Sequence, residues 1–138
     1  MSSENGHFCT VINCMDGRTQ IAAIEYLCKH CNTKYVDSIT EPGPVKIIAE
    51  YTDLSVLENM WRCIDISVNK HNSCCISIVA HHDCAGNPLP KSEQIKQLEK
   101  AVKNVKLKYP DIPVEGIWID ENWQVDLIID DPGFPIQG

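Results

Sequence analysis

The 138-residue sequence lacks any long apolar run, any compact basic cluster and any low-complexity segment. No run approaches the roughly 20 apolar residues that cross a bilayer. The first seven residues, Met-Ser-Ser-Glu-Asn-Gly-His, contain no apolar signal core. Lysine and arginine total 12 against 19 acidic residues and are scattered, apart from a lysine-rich segment at 96–108. We therefore expect a cytoplasmic protein whose partners include neither nucleic acid nor membrane.

Cysteine, by contrast, occurs eight times. Without a signal sequence, and with clear strand and helix patterns, these thiols are expected in a reducing compartment, as packing residues or metal ligands. Cys28 and Cys31 form a Cys-x-x-Cys motif, for which thiol redox chemistry is one alternative. Their spacing from Ile21 and Ile24 instead favours core packing, on the inner stripe of a helix.

Short apolar runs rich in β-branched residues alternate with segments of helical periodicity. This alternation predicts right-handed βαβ units and a parallel sheet, in a single α/β domain spanning residues 1–138. The last strand follows a tight turn and is expected to be an antiparallel edge strand. The predicted strands cover residues 8–13, 35–40, 74–80, 114–120 and 123–129. The predicted helices run from 17 or 19 to 30, over 45–51, from a cap at 53 or 55 to 70, and from a cap at Ser92 to about 109.

Two predicted strands end in metal-ligating side chains. Cys14 closes the first strand, and His81 follows the third strand, with Cys84 three residues beyond it. Parallel strands deliver their carboxyl ends to one edge of the sheet, where ligands bind. We therefore predict that Cys14, His81 and Cys84 bind one zinc ion, provided that the first and third strands are neighbours. Cys74 and Cys75 begin the third strand, about 20 Å from its end, and are too distant to share that ion.

Acidic and basic side chains lie next to these ligands in the sequence. Asp16 can accept a proton from zinc-bound water or bind the zinc, and Arg18 can hold its carboxylate through a bidentate ion pair. On its own, an Asp-x-Arg sequence after a strand usually forms a turn with a surface ion pair. His82 and Asp83 lie between two predicted ligands, where each either shuttles protons, orients a ligand or faces solvent.

The sequence Cys-Met-Asp-Gly-Arg at 14–18, followed by His-His-Asp-Cys-Ala-Gly at 81–86, resembles the β-class carbonic anhydrases. Their signature is Cys-x-Asp-x-Arg and then His-x-x-Cys. The resemblance covers residues 8–129 and implies a four-stranded parallel sheet in the order 2-1-3-4, flanked by helices, with a fifth antiparallel strand at the edge. In that order the first and third strands are neighbours.

The same resemblance implies a function. The reaction would be the reversible hydration of CO2 to bicarbonate by a zinc-bound hydroxide, in a homodimer or higher homo-oligomer. The implied zinc ligands are Cys14, His81 and Cys84, and the implied catalytic pair is Asp16 with Arg18.

The sequence departs from the family in two places. Seven residues precede the first strand, where the family carries a helical arm, and Thr-Glu-Pro-Gly at 40–43 replaces Arg-Asn-Ala-Gly. Glu41 either places a carboxylate at the ligand edge or is an exposed acid in a plain turn. Two alternatives to CO2 hydration follow: hydrolysis of a related linear molecule such as COS or CS2, and non-enzymatic binding of a small anion by a zinc-containing protein.

Overall fold

A computed structural model describes residues 7–131 and shows strands alternating with helices. The strands are β1 (Phe8–Cys14), β2 (Tyr35–Glu41), β3 (Ile76–His81), β4 (Val114–Ile119) and β5 (Val125–Asp131). The helices are α1 (Gln20–His30), α2 (Pro44–Glu50), α3 (Leu54–Lys70) and α4 (Lys91–Lys108), with a short 3-10 turn (Gly17–Thr19) before α1. Among the helices of this described part of the chain, none has the combined length and apolarity needed to cross a membrane.

The strands form one sheet in the order β2-β1-β3-β4-β5. The first four strands are parallel, and β5 pairs with β4 in the antiparallel direction. This arrangement confirms the predicted fold class and strand order. Since β1 and β3 are neighbours, the ends of both strands reach the same edge of the sheet.

Helices cover both faces of the sheet, so the central strands are buried along their whole length. Successive side chains of a strand point to opposite faces. Ile12 accordingly packs in the larger core with residues of α2, α3 and α4. Val11 packs in the smaller core with residues of α1.

The buried side of α1 differs from the predicted stripe. Ile21 and Ile24 are 69% and 37% exposed, so the prediction that they face the core is wrong. Ala23 and Leu27 are fully buried instead. The helix carries apolar residues on more than one side, and small alanine side chains allow the closest approach to the sheet. Periodicity alone therefore did not determine which side is buried.

Two helix starts resolve or correct the sequence prediction. Asp53 caps α3, because its side chain accepts a hydrogen bond from the backbone N–H of Val56. The helix α4 begins at Lys91, after Pro90, so the prediction that Ser92 caps it is wrong. Proline fixes φ near the value needed to enter a helix, and this helix needs no side-chain cap.

Two glycines allow the loop after β2 to touch the loop after β3. A Cβ atom on Gly43 would lie 2.8 Å from the carbonyl carbon of Gly86, and one on Gly86 would lie 2.7 Å from the carbonyl carbon of Pro42. Gly43 also has a φ of +57°, a left-handed conformation that other residues adopt with strain. Only glycine fits this contact without displacing backbone.

We expect Gly86→Ala to lower the free energy of unfolding by roughly 1–3 kcal/mol, because the added Cβ would push the loops apart. Urea unfolding measures this change. Gly17→Ala is the matched control, since nothing lies within 4 Å of a Cβ there. We expect the control to change stability by less than about 0.5 kcal/mol. Equal stabilities for the two variants would contradict a tight contact between the loops.

Candidate metal centre

Cys14, His81 and Cys84 converge at the carboxyl edge of the sheet. Their candidate ligand atoms lie within 4.8 Å of one another, and all three residues are buried. The sulfur atoms of Cys14 and Cys84 are 3.9 Å apart. In tetrahedral zinc coordination, two Zn–S bonds of about 2.3 Å place the sulfurs about 3.8 Å apart. The spacing of the two thiols therefore fits zinc.

The imidazole of His81 is oriented by the neighbouring backbone. Its Nδ1 donates a hydrogen bond to the carbonyl oxygen of His82, at 2.7 Å. This leaves Nε2 as the ligand atom, and Nε2 is buried without a hydrogen-bond partner among residues 7–131. A buried polar atom without a partner costs about 1–3 kcal/mol. Coordination of an ion by Nε2 would remove that cost, and a hydrogen bond at the other ring nitrogen is the usual support for a ligating histidine.

Backbone groups near each sulfur lower the pKa of its thiol. The sulfur of Cys14 accepts hydrogen bonds from the backbone of Gly43 and Asp16. Backbone groups of Gly86 and Asn87 likewise hydrogen-bond the sulfur of Cys84. The Gly43–Gly86 contact thus brings two loops together around the thiols. Donors of this kind stabilise the thiolate form.

The two thiols titrate as a pair. The hydrogen bond from Cys84 lowers the pKa of Cys14 to about 4, against the opposing effect of burial. The pKa of Cys84 is raised, because it donates that hydrogen bond and because burial disfavours its charged form. Burial, the largest single effect, lowers the pKa of His81, but the hydrogen bonds to Cys14 and to the His82 carbonyl, together with the charges of Cys14 and Asp16, raise the pKa overall. The two thiols therefore share one proton at neutral pH.

Asp16 and Arg18 form the bidentate ion pair that the sequence suggested. Arg18 Nε lies 3.1 Å from Asp16 Oδ1, and Arg18 Nη2 lies 2.7 Å from Oδ2. The backbone N–H of Arg18 also donates to Oδ1 at 2.9 Å. These hydrogen bonds lower the pKa of Asp16 to about 2, so its carboxylate is ionised at neutral pH.

Arg18 is itself held from two further sides. Its guanidinium carbon lies 4.6 Å from the centre of the Trp123 ring. It also donates to the side chain of Asp83 at 3.3 Å and to the carbonyl oxygen of Asp83 at 3.1 Å. Trp123 and Asp83 both have a φ of 58°, a conformation that such residues rarely adopt. Sequence reasoning missed Trp123, whose signal was a large aromatic directly after the predicted turn.

The positions of His82 and Asp83 favour orienting roles over proton transfer. The carbonyl oxygen of His82 orients His81, while its own side chain is exposed. Asp83 holds Arg18.

Side-chain amides, buried at Asn13 and Gln94 and half-buried at Gln20, hold the backbone that carries the candidate ligands, and sequence reasoning missed them as well. Asn13 Oδ1 accepts from the backbone N–H of Cys14 at 2.8 Å. Gln20 Nε2 donates to the carbonyl oxygen of Cys14 at 2.8 Å. Gln94 Nε2 donates to that of His81 at 3.0 Å. These residues belong to no motif; the only signal was a polar residue, Asn13, near the end of an apolar strand.

Glu41 lies beside Cys14 in the pairing of β1 with β2. Its carbonyl oxygen accepts from the backbone N–H of Met15 at 3.1 Å. Its side chain lines a hollow of about 370 Å³ together with Lys46 and Asp53. A separate hollow of about 310 Å³, lined by residues that include His82, Lys91 and Trp118, borders Cys84.

Comparisons with known proteins identify a family and similar folds. A family model described as "Putative carbonic anhydrase" matches residues 4–129. No curated protein matches the sequence. One similar solved fold comes from crystal structures of two tetrameric β-carbonic anhydrases of the filamentous ascomycete Sordaria macrospora, with a TM-score of 0.61, 12% identity, and coverage of 92% of this chain and 82% of that one.

A second similar fold is the β-carbonic anhydrase CafA of the fungal pathogen Aspergillus fumigatus. Its TM-score is 0.51 at 15% identity, with coverage of 88% of this chain and 76% of that one. At such low identity these likenesses concern the fold alone. Because the family model spans nearly the whole chain and the sheet has the corresponding fold, this chain belongs to the β-class carbonic anhydrase family.

Proposed function

We propose that the protein is a zinc-dependent carbonic anhydrase that catalyses the reversible hydration of CO2 to bicarbonate. The supporting observation is the convergence of Cys14, His81 and Cys84 beside an ionised carboxylate. Zinc, when bound, lowers the pKa of a water ligand and so supplies hydroxide for attack on CO2.

In this proposal the three buried side chains have the role of holding the ion. Cys14 and Cys84 would supply two negative charges, and His81 Nε2 would supply a neutral nitrogen. Two thiolates would balance the charge of the dication, so they would favour formation of hydroxide less than three neutral histidines would. The peptide N–H groups around the sulfurs withdraw part of that negative charge and work in the opposite direction.

Asp16 has an orienting role. A carboxylate with a pKa of about 2 is a poor proton acceptor near neutral pH but a strong hydrogen-bond acceptor. Asp16 therefore accepts a hydrogen bond from the nucleophile and so positions it. It does not act as the final acceptor of the proton. Arg18 fixes the direction of the carboxylate through two parallel hydrogen bonds.

We also propose that the chain forms a homodimer or a higher homo-oligomer. Ile21 and Ile24 lie three residues apart on α1, so they share one side of the helix. Both are exposed. Adjacent exposed apolar side chains of this kind are typical of an interface between subunits.

The metal content of protein purified without added metal tests the proposed ligands. We expect Cys84→Ser to contain one fewer zinc ion per chain than the wild type, because the two remaining ligands bind zinc weakly. Cys63→Ser is the control, since Cys63 packs against the larger core away from the centre. Equal zinc contents for Cys84→Ser and the wild type would refute these ligands.

Stopped-flow measurement of CO2 hydration tests the role of Asp16. We expect Asp16→Asn to lower kcat/KM by roughly 100-fold while zinc content stays unchanged, because the amide loses the charge that aligns Arg18 and the nucleophile. Asp126→Asn, an exposed change on β5, should keep wild-type activity. If the zinc-loaded wild type hydrated CO2 no faster than the uncatalysed reaction at every pH from 6.5 to 9, the proposal would be contradicted. Assays with COS and CS2 would then distinguish hydrolysis of those molecules from non-enzymatic anion binding.

Light scattering coupled to gel filtration tests the oligomer. We expect the wild type to elute as a dimer or larger species, and Ile21→Lys to shift toward the monomer, because a charge would be buried in the interface. Leu107→Lys is the control, because Leu107 is also exposed, at 76%, but lies on α4. A monomeric wild type would contradict this part of the proposal.

A further inference from the structure

A second group of thiols lies at the opposite edge of the sheet. The sulfur atoms of Cys9, Cys31 and Cys75 lie within 4.8 Å of one another. Cys9 and Cys14 are five residues apart on the same strand, which corresponds to about 16 Å. The two groups therefore share no ligand and cannot share an ion.

Three separate segments bring these sulfurs together. The backbone N–H of Thr10 donates to the carbonyl oxygen of Cys75 at 3.0 Å, which sets β1 beside the start of β3. Cys9 and Cys75 consequently point into the same smaller core. Cys31 is the C-cap of α1 and donates from its backbone N–H to Leu27 at 2.9 Å. The end of the helix thus lies over the paired strands.

A fourth thiol is adjacent to this group. Cys74 is exposed and directly precedes Cys75 in the chain, but its sulfur lies outside the group whose sulfur atoms are all within 4.8 Å of one another. Its backbone N–H donates to the carbonyl oxygen of Phe8 at 3.0 Å, so its position is fixed by the same strand pairing. The group thus runs from the fully buried Cys9 to the surface, which gives an ion a way in.

The spacing of the sulfurs argues against simple packing. Isolated cysteines pack as small apolar residues. Here the sulfurs of Cys31 and Cys75 are 2.9 Å apart, closer than the roughly 3.5–4.0 Å at which non-bonded heavy atoms rest. A shared tetrahedral zinc ion would hold them about 3.8 Å apart and relieve this crowding. A set of sulfur ligands also favours zinc over the oxygen-preferring magnesium and calcium.

We propose that Cys9, Cys31 and Cys75 bind a second zinc ion, and that the exposed side chain of Cys74 turns inward to supply the fourth ligand. Binding releases the thiol protons and changes no oxidation state. Four protein ligands leave no position for water, so this site is structural. It ties the beginnings of β1 and β3 to the end of α1, and it is independent of whether the first centre is catalytic.

The test measures zinc by mass spectrometry in protein purified without added metal, in a Cys84→Ser background that disables the first centre. Cys84→Ser should retain one zinc per chain, and Cys84→Ser/Cys31→Ser should retain less than about one tenth of that. The matched control is Cys84→Ser/Cys28→Ser, which should retain one zinc. Cys28 is half-buried on the same helix but is not one of the clustered cysteines.

Cobalt titration of Cys84→Ser gives a second readout that needs no further substitution. We expect a sulfur-to-cobalt charge-transfer absorption, and a melting temperature that rises with free zinc concentration, since the ion binds only the folded chain. Circular dichroism establishes that each variant is folded.

Two results would overturn the proposal. One is a single zinc in the wild type that disappears in Cys84→Ser, with no cobalt charge-transfer band in that variant. The other is a Cys31–Cys75 disulfide, found by mass spectrometry in zinc-free protein purified without reductant, which would make the cluster a redox pair. If Cys31→Ser does not fold, the cobalt titration of Cys84→Ser decides by itself.

Discussion

The parallel pairing of β1 with β3 is the contact on which both cysteine groups depend. It places Thr10 beside Ile76 and Ile12 beside Ile78, and it carries the two strands through the middle of the sheet. The carboxyl ends then bring Cys14 to His81, and the opposite ends bring Cys9 to Cys75. A shift of one residue in this register would turn one of each pair to the other face of the sheet.

The first centre is built to hold negative charge in a buried place. The groups that support it are mostly neutral: backbone N–H groups near the sulfurs, and the side-chain amides of Asn13 and Gln20, which hydrogen-bond the backbone of Cys14. Such dipoles stabilise thiolates without cancelling their charge. The cationic Arg18 is instead paired with Asp16 and Asp83, and it lies against Trp123. Charge is thereby divided between the buried thiols and a separate ion pair of Asp16 with Arg18.

The first centre was largely predictable because its residues are close in sequence or lie at strand ends. Cys14 with Asp16 and His81 with Cys84 are local motifs, and a parallel sheet joins them once the strand order is known. The second group was not predictable in the same way. Its cysteines belong to three segments, and Cys31 was assigned to a stripe with Ile21 and Ile24, two residues that the structure exposes. The rotation of α1 about its own axis decides which of its cysteine side chains contacts the strands.

By itself, the sequence determined the alternation of strands and helices, the strand order through its family resemblance, and the residues most suited to hold zinc. The periodicity of apolar residues and the local motifs involve residues that are close in the sequence, so they can be recognised without a structure. Only the tertiary structure decided that Trp123 and Asp83 support Arg18, that Gly43 meets Gly86, and that Cys9, Cys31 and Cys75 converge. Those contacts depend on helix rotation and loop packing, which many sequence-distant side chains set together.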